Sequence, residues 1–400
     1  MISAIIVNYY SCRLALRAVK SLLPPGQDVE CSIWVVDNTP DPEEHEWLKT
    51  HLPGTCHLII NDRNLGFAKA CNQAYAQTTG EWVLLLNPDA YLYPDALEKL
   101  LNFLLAHPDV GAVSPRVFWD DEAHFFIPPN PTPGPWCDNV LSRCHPLSRY
   151  TWWHSLWWRR DAIRLWRSVR PVRQKSLCGG HVLLRRSALE KVGGLFDPDF
   201  FVYYEDTDLF LRLQKGGYQL YILPSARAGH QYNQCGRDCD DRKKKMMEES
   251  YQIFKNKHSG RHPLQIVSRH IAFQSVGKAY VRLRSLGVLS EPPAFTIEKS
   301  LARNWLLEWS PNINMVPSLG YFGKGERPEW PRSAWRILRP GDHYVRISHP
   351  DRFWVKPQIW HWKLGMEICN LKLGRNETGL RVGCLYTGRR KVLSIFKRFT

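Results

Sequence analysis

Four short apolar runs each end in a side chain that can hydrogen-bond. Ile2–Val7 precedes Asn8, Cys31–Val36 precedes Asp37, Leu58–Ile60 precedes Asn61, and Trp82–Leu86 precedes Asn87-Pro88-Asp89. Runs this short, bounded by turn residues, read as strands buried on both faces. Between them Leu14–Leu22 and Gly66–Ala76 carry helical spacing, the first closed by Pro24-Pro25-Gly26 and the second by Gly80. Alternating strand and helix over the first ~125 residues implies a parallel sheet with right-handed crossovers. Such a sheet gathers the polar run-ends along one edge, the edge where ligands bind in open α/β folds.

Asn87-Pro88-Asp89 alone supports two readings. It is a turn leading into a helix over Pro94–Leu105, since Asn-Pro commonly starts turns. Equally, Asp89 is a lone hard carboxylate suited to Mg²⁺ or Mn²⁺ shared with phosphate oxygens.

At 400 residues and 44% hydrophobic, the chain has the length for two or three domains and the apolar content for a sizeable core. Disordered and fibrous classes do not fit. No run reaches the ~18 apolar residues needed to span a bilayer. The chain opens on a strand without a basic leader and cleavage site, so a cytoplasmic location with mostly reduced cysteines is expected. The net charge of +16 is uneven: −8 over residues 1–130, +7 over 131–175, +2 over 176–260 and +15 over 261–400. Basic patches of this kind attract anionic membranes, polyphosphate substrates or nucleic acid.

Residues 128–136 are proline-rich and read as a linker or loop. The stretch 150–173 mixes Trp152, Trp153, Trp157, Trp158 and Trp166 with six arginines, a composition suited to a membrane interface. Projected as a helix, however, Arg159, Arg160 and Arg167 share a side with Leu156 and Ile163, so an ordinary packed insert fits equally well. The α/β pattern resumes with a strand over Ser176–Leu184, a helix over Ser187–Val192, a helix over Asp208–Lys215 and a strand over Tyr218–Leu223. Beyond residue 258 a helical stripe of Ile266, Phe273, Val276, Tyr280 and Leu283 is followed by a stretch over 290–362, rich in Pro, Trp and strand formers, that reads as a small β-rich module. The domains expected are therefore 1–258, with 150–173 as an insert, and a basic region 259–400.

Ile5-Ile6-Val7-Asn8-Tyr9, Val35-Val36-Asp37-Asn38, Asn61–Ala68, Leu84–Asp89, Cys178-Gly179-Gly180 and Tyr203–Leu209 stand in the order found in family 2 glycosyltransferases. The chain resembles that family over roughly residues 1–258, with bacterial rhamnosyltransferases of polysaccharide assembly as the nearest look-alikes. The resemblance implies an α/β fold of the GT-A type, a Rossmann-like mixed sheet flanked by helices, followed by a basic, Trp-rich C-terminal extension. It also implies an inverting transfer from a nucleotide-sugar. Such a reaction must neutralise a leaving diphosphate, deprotonate an acceptor hydroxyl and hold the donor in line.

By resemblance, Asp89 ligates a divalent metal, Mg²⁺ or Mn²⁺, with His230 as second ligand. The usual motif has an aspartate where this chain has Asn87, so Asp89 is the only carboxylate there. Asp206 matches the catalytic base, with Glu205 the alternate and an acceptor contact. Asp37 matches the reader of the nucleobase, while Asn8, Asn38, Arg63, Asn64, Gly66 and Asn87 complete the donor site. Gly179 and Gly180 allow close backbone approach to sugar or acceptor. Asp208, opening a helix, reads as a helix-start residue. Cys235-Gly236-Arg237-Asp238-Cys239 could pair with His230 on zinc, but its spacing is one residue too long for the common short pair. The expected reaction moves L-rhamnose from a dTDP donor to a lipid-linked or oligosaccharide acceptor, on an enzyme held peripherally at the anionic inner face of the cell membrane. UDP-linked galactose or N-acetylhexosamine stays open as donor. The charge also fits a nucleic-acid-binding protein, but no such motif is present, and the acidic first 130 residues would repel a polyanion, so nucleic acid is not expected as a partner.

Overall fold

The computed structural model describes residues 1–23, 29–130, 149–232, 240–258 and 282–365. These form two compact units. The first is built from described residues of 1–119, 129–130 and 167–258, the second from 120–128, 149–166 and 282–365.

The first unit is a nine-stranded mixed sheet. Its strands are β1 Ile2–Asn8, β2 Cys31–Asp37, β3 Cys56–Ile60, β4 Trp82–Leu86, β5 Ala90–Leu92, β6 Val110–Phe118, β7 Val172–Gln174, β8 His181–Arg185 and β9 Gln219–His230. They lie in the order β3-β2-β1-β4-β8-β6-β9-β5, with β7 also on β9. The first four strands are parallel, as the alternation requires, with Asn8 level with Asp37. β8 runs antiparallel to β4 and makes the sheet mixed. Every residue of β1 and β4 is buried, which is why these strands read as unbroken apolar runs. Their side chains pack with Ala68, Cys71 and Ala74 of the helix Phe67–Tyr75 in one core.

The sequence reading and the fold differ at particular places. A helix over Pro42–His51 went unread, although Asp41 caps it by accepting from Glu43 N at 3.1 Å and Pro42 stands in its first turn. Asn87-Pro88-Asp89 does turn, but into the short strand β5, and the next helix runs Ala96–Ala106. β8 begins only at His181, after the two glycines. β9 does not stop at Leu223: a bulge between Leu223 and Arg227 absorbs Pro224 and the strand continues to His230. The helix expected at Asp208 begins at Glu205.

The second unit carries a five-stranded sheet of Leu283–Leu289, Gln358–Leu364, Gly341–Ser348, Trp305–Ser310 and Leu319–Gly323, in that order across it. Pairing is antiparallel except between the first two. Leu283, expected in a helical stripe, opens the first of these strands; the other four stripe residues lie outside the described residues. Most of the Trp/Arg-rich stretch forms the helix Arg149–Arg167, of which residues 149–166 belong to this unit. Its arginine on the apolar side is explained by a counter-charge. Arg159 is 1% exposed and donates from Nε to Glu308 Oε2 at 2.9 Å, and Arg346 also binds Glu308, from Nε at 2.9 Å and from Nη2 at 2.6 Å. Ser348 Oγ and His349 O also accept from Arg159 Nη2, and Ser155 Oγ accepts from Arg346 Nη1. Ala162, Ile163 and Trp166 pack with Leu306, while Trp157 is 69% exposed. Among the described residues no helix is long and apolar enough to cross a membrane.

Candidate functional site

The strand ends β1 and β2 are tied together at their edge. Asn8 Nδ2 donates to Asp37 Oδ1 at 2.9 Å, and Thr39 N donates to the same oxygen at 3.1 Å. Asp37 is fully buried. Its Oδ2 has His45 Nε2 at 3.6 Å and no hydrogen-bond partner among the described residues. Asn38 clamps the following loop: it donates to Asn64 Oδ1 at 3.0 Å and Gly66 O at 3.2 Å, and it accepts from Asn61 Nδ2 at 3.0 Å. Asn64 in turn accepts from Gly66 N at 2.9 Å. Gly66 needs its missing side chain, because its φ is +87° and a Cβ would lie 2.5 Å from Phe201 O. Arg63 projects exposed from this loop.

The two glycines before β8 bring the central residues together. A Cβ on Gly180 would meet Asn87 Nδ2 at 2.5 Å, and one on Gly179 would meet Asp206 Cβ at 2.9 Å. Hydrogen bonds follow the same approach: Asn87 N donates to Gly180 O at 2.8 Å, and Gly179 N donates to Asp206 Oδ2 at 3.0 Å. Asp206 sits in the first turn of Glu205–Lys215, where its Oδ1 accepts from Thr207 N at 2.6 Å. Burial raises its carboxyl above the ordinary aspartate range, against these hydrogen bonds. Glu205 is buried, its Oε2 has no partner among the described residues, and burial followed by the neighbouring Asp206 charge pushes its carboxyl well up. The preceding Tyr203 and Tyr204 have φ of +70° and +64°, a strained entry of the kind that collects at functional sites. Asp208, expected to stabilise the helix start, is instead an ion-pair hub for Arg212, Lys257 and His258, at 2.8, 2.9 and 2.7 Å. Burial would raise its carboxyl, but bonds from Lys257, Arg212 and His258 outweigh that and hold it low.

Asp89 and His230, distant in sequence, meet because β5 pairs with β9 and sets Ala90 opposite His230. Asp89 Oδ1 lies 3.1 Å from His230 Nε2, both residues being buried. A carboxylate oxygen and an imidazole nitrogen this close can converge on one divalent cation, so these residues fit the metal that the resemblance implies. Two neighbours escaped the sequence reading. Cys178, His181 and His230 bring one ligand atom each to within 4.8 Å of one another. Burial, then the nearby His230, pushes the His181 ring down to about 3, so it is neutral. Burial first, then the Asp206 charge, pushes the Cys178 thiol up to about 12. The Cys-x-x-His spacing before β8 was the available signal, masked by the glycines between. Cys235 and Cys239 lie outside the described residues.

The model of the family described as "Glycosyl transferase family 2" matches residues 3–193. An N-acetylglucosaminyl-diphospho-decaprenol L-rhamnosyltransferase of Mycobacterium tuberculosis is 30% identical over 218 residues, spanning 51% of this chain and 68% of that protein. Among solved structures, the mannosyltransferase PcManGT from Pyrobaculum calidifontis, in complex with GDP-Man and Mn²⁺, aligns with a TM-score of 0.40 at 21% identity over 66% of each chain. GalNAc-T7 with UDP, GalNAc and Mn²⁺ aligns with a TM-score of 0.41 at 14% identity, over 60% of this chain and 45% of that one. On the family model and the 30% identical relative, this chain belongs to glycosyl transferase family 2.

Proposed function

We propose that the protein is an inverting glycosyltransferase that moves L-rhamnose from dTDP-rhamnose to a lipid-linked oligosaccharide precursor. The observation that carries the reading is the junction at Gly179-Gly180, where the Asp206 carboxylate and the strand-end Asn87 close on one backbone turn. The mycobacterial relative, named for rhamnosyl transfer to a diphospho-decaprenol acceptor, supports the choice of sugar and acceptor class.

In this reading Asp37 holds the nucleobase edge with Asn8 fixing its carboxylate, and the loop carrying Arg63, Asn64 and Gly66, clamped by Asn38, lies against the nucleotide. Asp89 would hold the divalent cation, Mg²⁺ or Mn²⁺, its carboxylate oriented by His230 Nε2 at 3.1 Å, and the bound cation would neutralise charge on the leaving diphosphate. Asp206 takes the proton of the acceptor hydroxyl as its oxygen attacks the anomeric carbon. The bond from that carbon to the diphosphate oxygen breaks on the opposite face, and its electron pair leaves with the dTDP. A carboxylate raised by burial suits a base working near neutral pH. Glu205, driven toward its neutral form, is the weaker candidate for base and serves as an acceptor contact. The exposed Trp157 and the basic regions support docking at an anionic membrane face.

The test is a transfer assay with a polyprenyl-diphospho-N-acetylglucosamine acceptor and three donors: dTDP-rhamnose, UDP-galactose and UDP-N-acetylglucosamine. Product from dTDP-rhamnose alone supports the reading. Product from a UDP-sugar removes the rhamnose assignment, and no product from any donor removes the transferase assignment.

A further inference from the structure

Two buried histidines of the first unit present ring nitrogens that nothing in the described protein engages. His181 is 4% exposed and His230 is 1% exposed. Ser114 Oγ donates its hydrogen to His181 O at 3.0 Å, so at 2.9 Å from His181 Nδ1 it is left to accept, and Nδ1 carries the ring proton. The lone pair of His181 is therefore on Nε2, which has no hydrogen-bond partner among the described residues. His230 turns Nε2 to the Asp89 carboxylate at 3.1 Å, which keeps the proton there and leaves the lone pair on Nδ1, likewise without a partner. The rings stand at 80° to each other with centroids 5.3 Å apart. Cys178 Sγ completes the group, all three ligand atoms lying within 4.8 Å. Gly180 N donates to that sulfur at 3.4 Å and Tyr232 Oη at 3.6 Å. A neutral thiol accepts weakly, whereas two donors aimed at one sulfur steady a thiolate.

We propose that Cys178, His181 and His230 form a binding site for a zinc-class cation, with Ser114 and Asp89 setting the tautomers of the two rings. Sulfur with two imidazoles is a borderline-soft donor set, which Zn²⁺ accepts and which Mg²⁺ does not favour. Each histidine has its second nitrogen on an oxygen partner, the arrangement by which metal-binding imidazoles are oriented. As the sulfur–zinc bond forms, the Cys178 proton passes to solvent; Cys178 is only partly buried, which leaves a way in. Three protein ligands leave a fourth position for water or an incoming oxygen, as in catalytic rather than structural zinc sites. The site shares His230 with the cation pair of the proposed function. A ring bound to zinc through Nδ1 keeps its Nε2 proton on Asp89, so Asp89 then meets the hard cation with phosphate oxygens alone.

The test is metal analysis of the purified full chain by mass spectrometry, with no metal added after lysis. The wild type is expected to retain about one zinc per chain. Cys178→Ser and His181→Gln are each expected to lower retained zinc at least about tenfold, and Ser114→Ala to weaken Zn²⁺ affinity about 10- to 100-fold. Loading wild type with Co²⁺ should give a thiolate-to-metal charge-transfer band in the near ultraviolet, absent from Cys178→Ser. Wild type that retains no zinc, or binds Co²⁺ without that band, overturns the site, and this readout stands even where a variant fails to fold. Titration of dTDP into the same samples separates the two readings: zinc retained without nucleotide binding counts against the donor site alone.

Discussion

Asp206 and Glu205 are adjacent carboxylates with opposite fates. Asp206 is held by Gly179 N and Thr207 N, whereas the buried Oε2 of Glu205 has no hydrogen-bond partner among the described residues. Asp206→Asn is expected to lower kcat about 10²- to 10⁴-fold while leaving the Kd for dTDP within about twofold, measured by transfer assay and calorimetry. Turnover near wild type would remove Asp206 as base. Because a base must be deprotonated, the wild-type rate should rise with pH through a value above the ordinary aspartate range, and that limb should vanish in the variant. Glu205 makes a stability prediction. Its folded carboxyl is raised, so its contribution is whole below the ordinary glutamate range and is lost as pH rises toward the folded value. Glu205→Gln should therefore melt higher than wild type at pH 8, with the gap closing at acid pH. An equal gap at both pH values would show that the carboxyl does not titrate between them. At this scale the strand-end polar residues were legible because an apolar run must stop somewhere. Cys178 and His181 were not, because their partner His230 lies far along the chain and reaches them only through strand pairing.

Among elements, parallel strands buried on both faces announce themselves, and β1 to β4 were readable for that reason. β5 was not, since Ala90-Tyr91-Leu92 is too short to show a period. The helix Arg149–Arg167 was ambiguous for an electrostatic reason. Arg159 sits among apolar neighbours only because Glu308, on a strand far along the sequence, supplies the opposite charge. Arg346 and Arg159 outweigh burial and hold Glu308 below the ordinary glutamate range. Its contribution is thus whole at neutral pH and fades only as pH falls through that depressed value. Glu308→Gln removes the carboxylate that two buried guanidinium groups share and is expected to cost about 3–5 kcal/mol, read by denaturant unfolding of the full chain. A loss below about 1 kcal/mol would show that the cations are solvated.

For the whole molecule, charge separates regions that sequence order runs together. Residues 1–130 are acidic, while 131–175 and 261–400 are strongly basic. Co-sedimentation should therefore follow vesicle charge: the protein pellets with phosphatidylglycerol vesicles, stays free of phosphatidylcholine vesicles, and is released by raised salt. Tight binding to oligonucleotides with no preference for anionic vesicles would reverse the assignment of the basic surface. The mixed sheet was legible in its parallel half. Its other half was not, because β8 lies antiparallel between β4 and β6 while β9 pairs parallel to β6 and antiparallel to β5 and β7, neighbours that sequence order does not predict.

The bulge between Leu223 and Arg227 acts as a phase counter. A strand reverses the direction of its side chains at every residue, so the number of residues spent in the bulge decides which face His230 occupies. Removing one residue from Pro224–Ala226 would keep the strand and its length class, yet turn His230 away from Asp89 and, with it, the arrangement at Cys178 and His181. Such a deletion should leave a folded protein, read by its melting curve, in which the Asp89–His230 pair is broken and transfer is lost, whereas removing two restores the phase. Chain length inside one irregular turn, a quantity that no single side chain carries, thus sets the parity of the site.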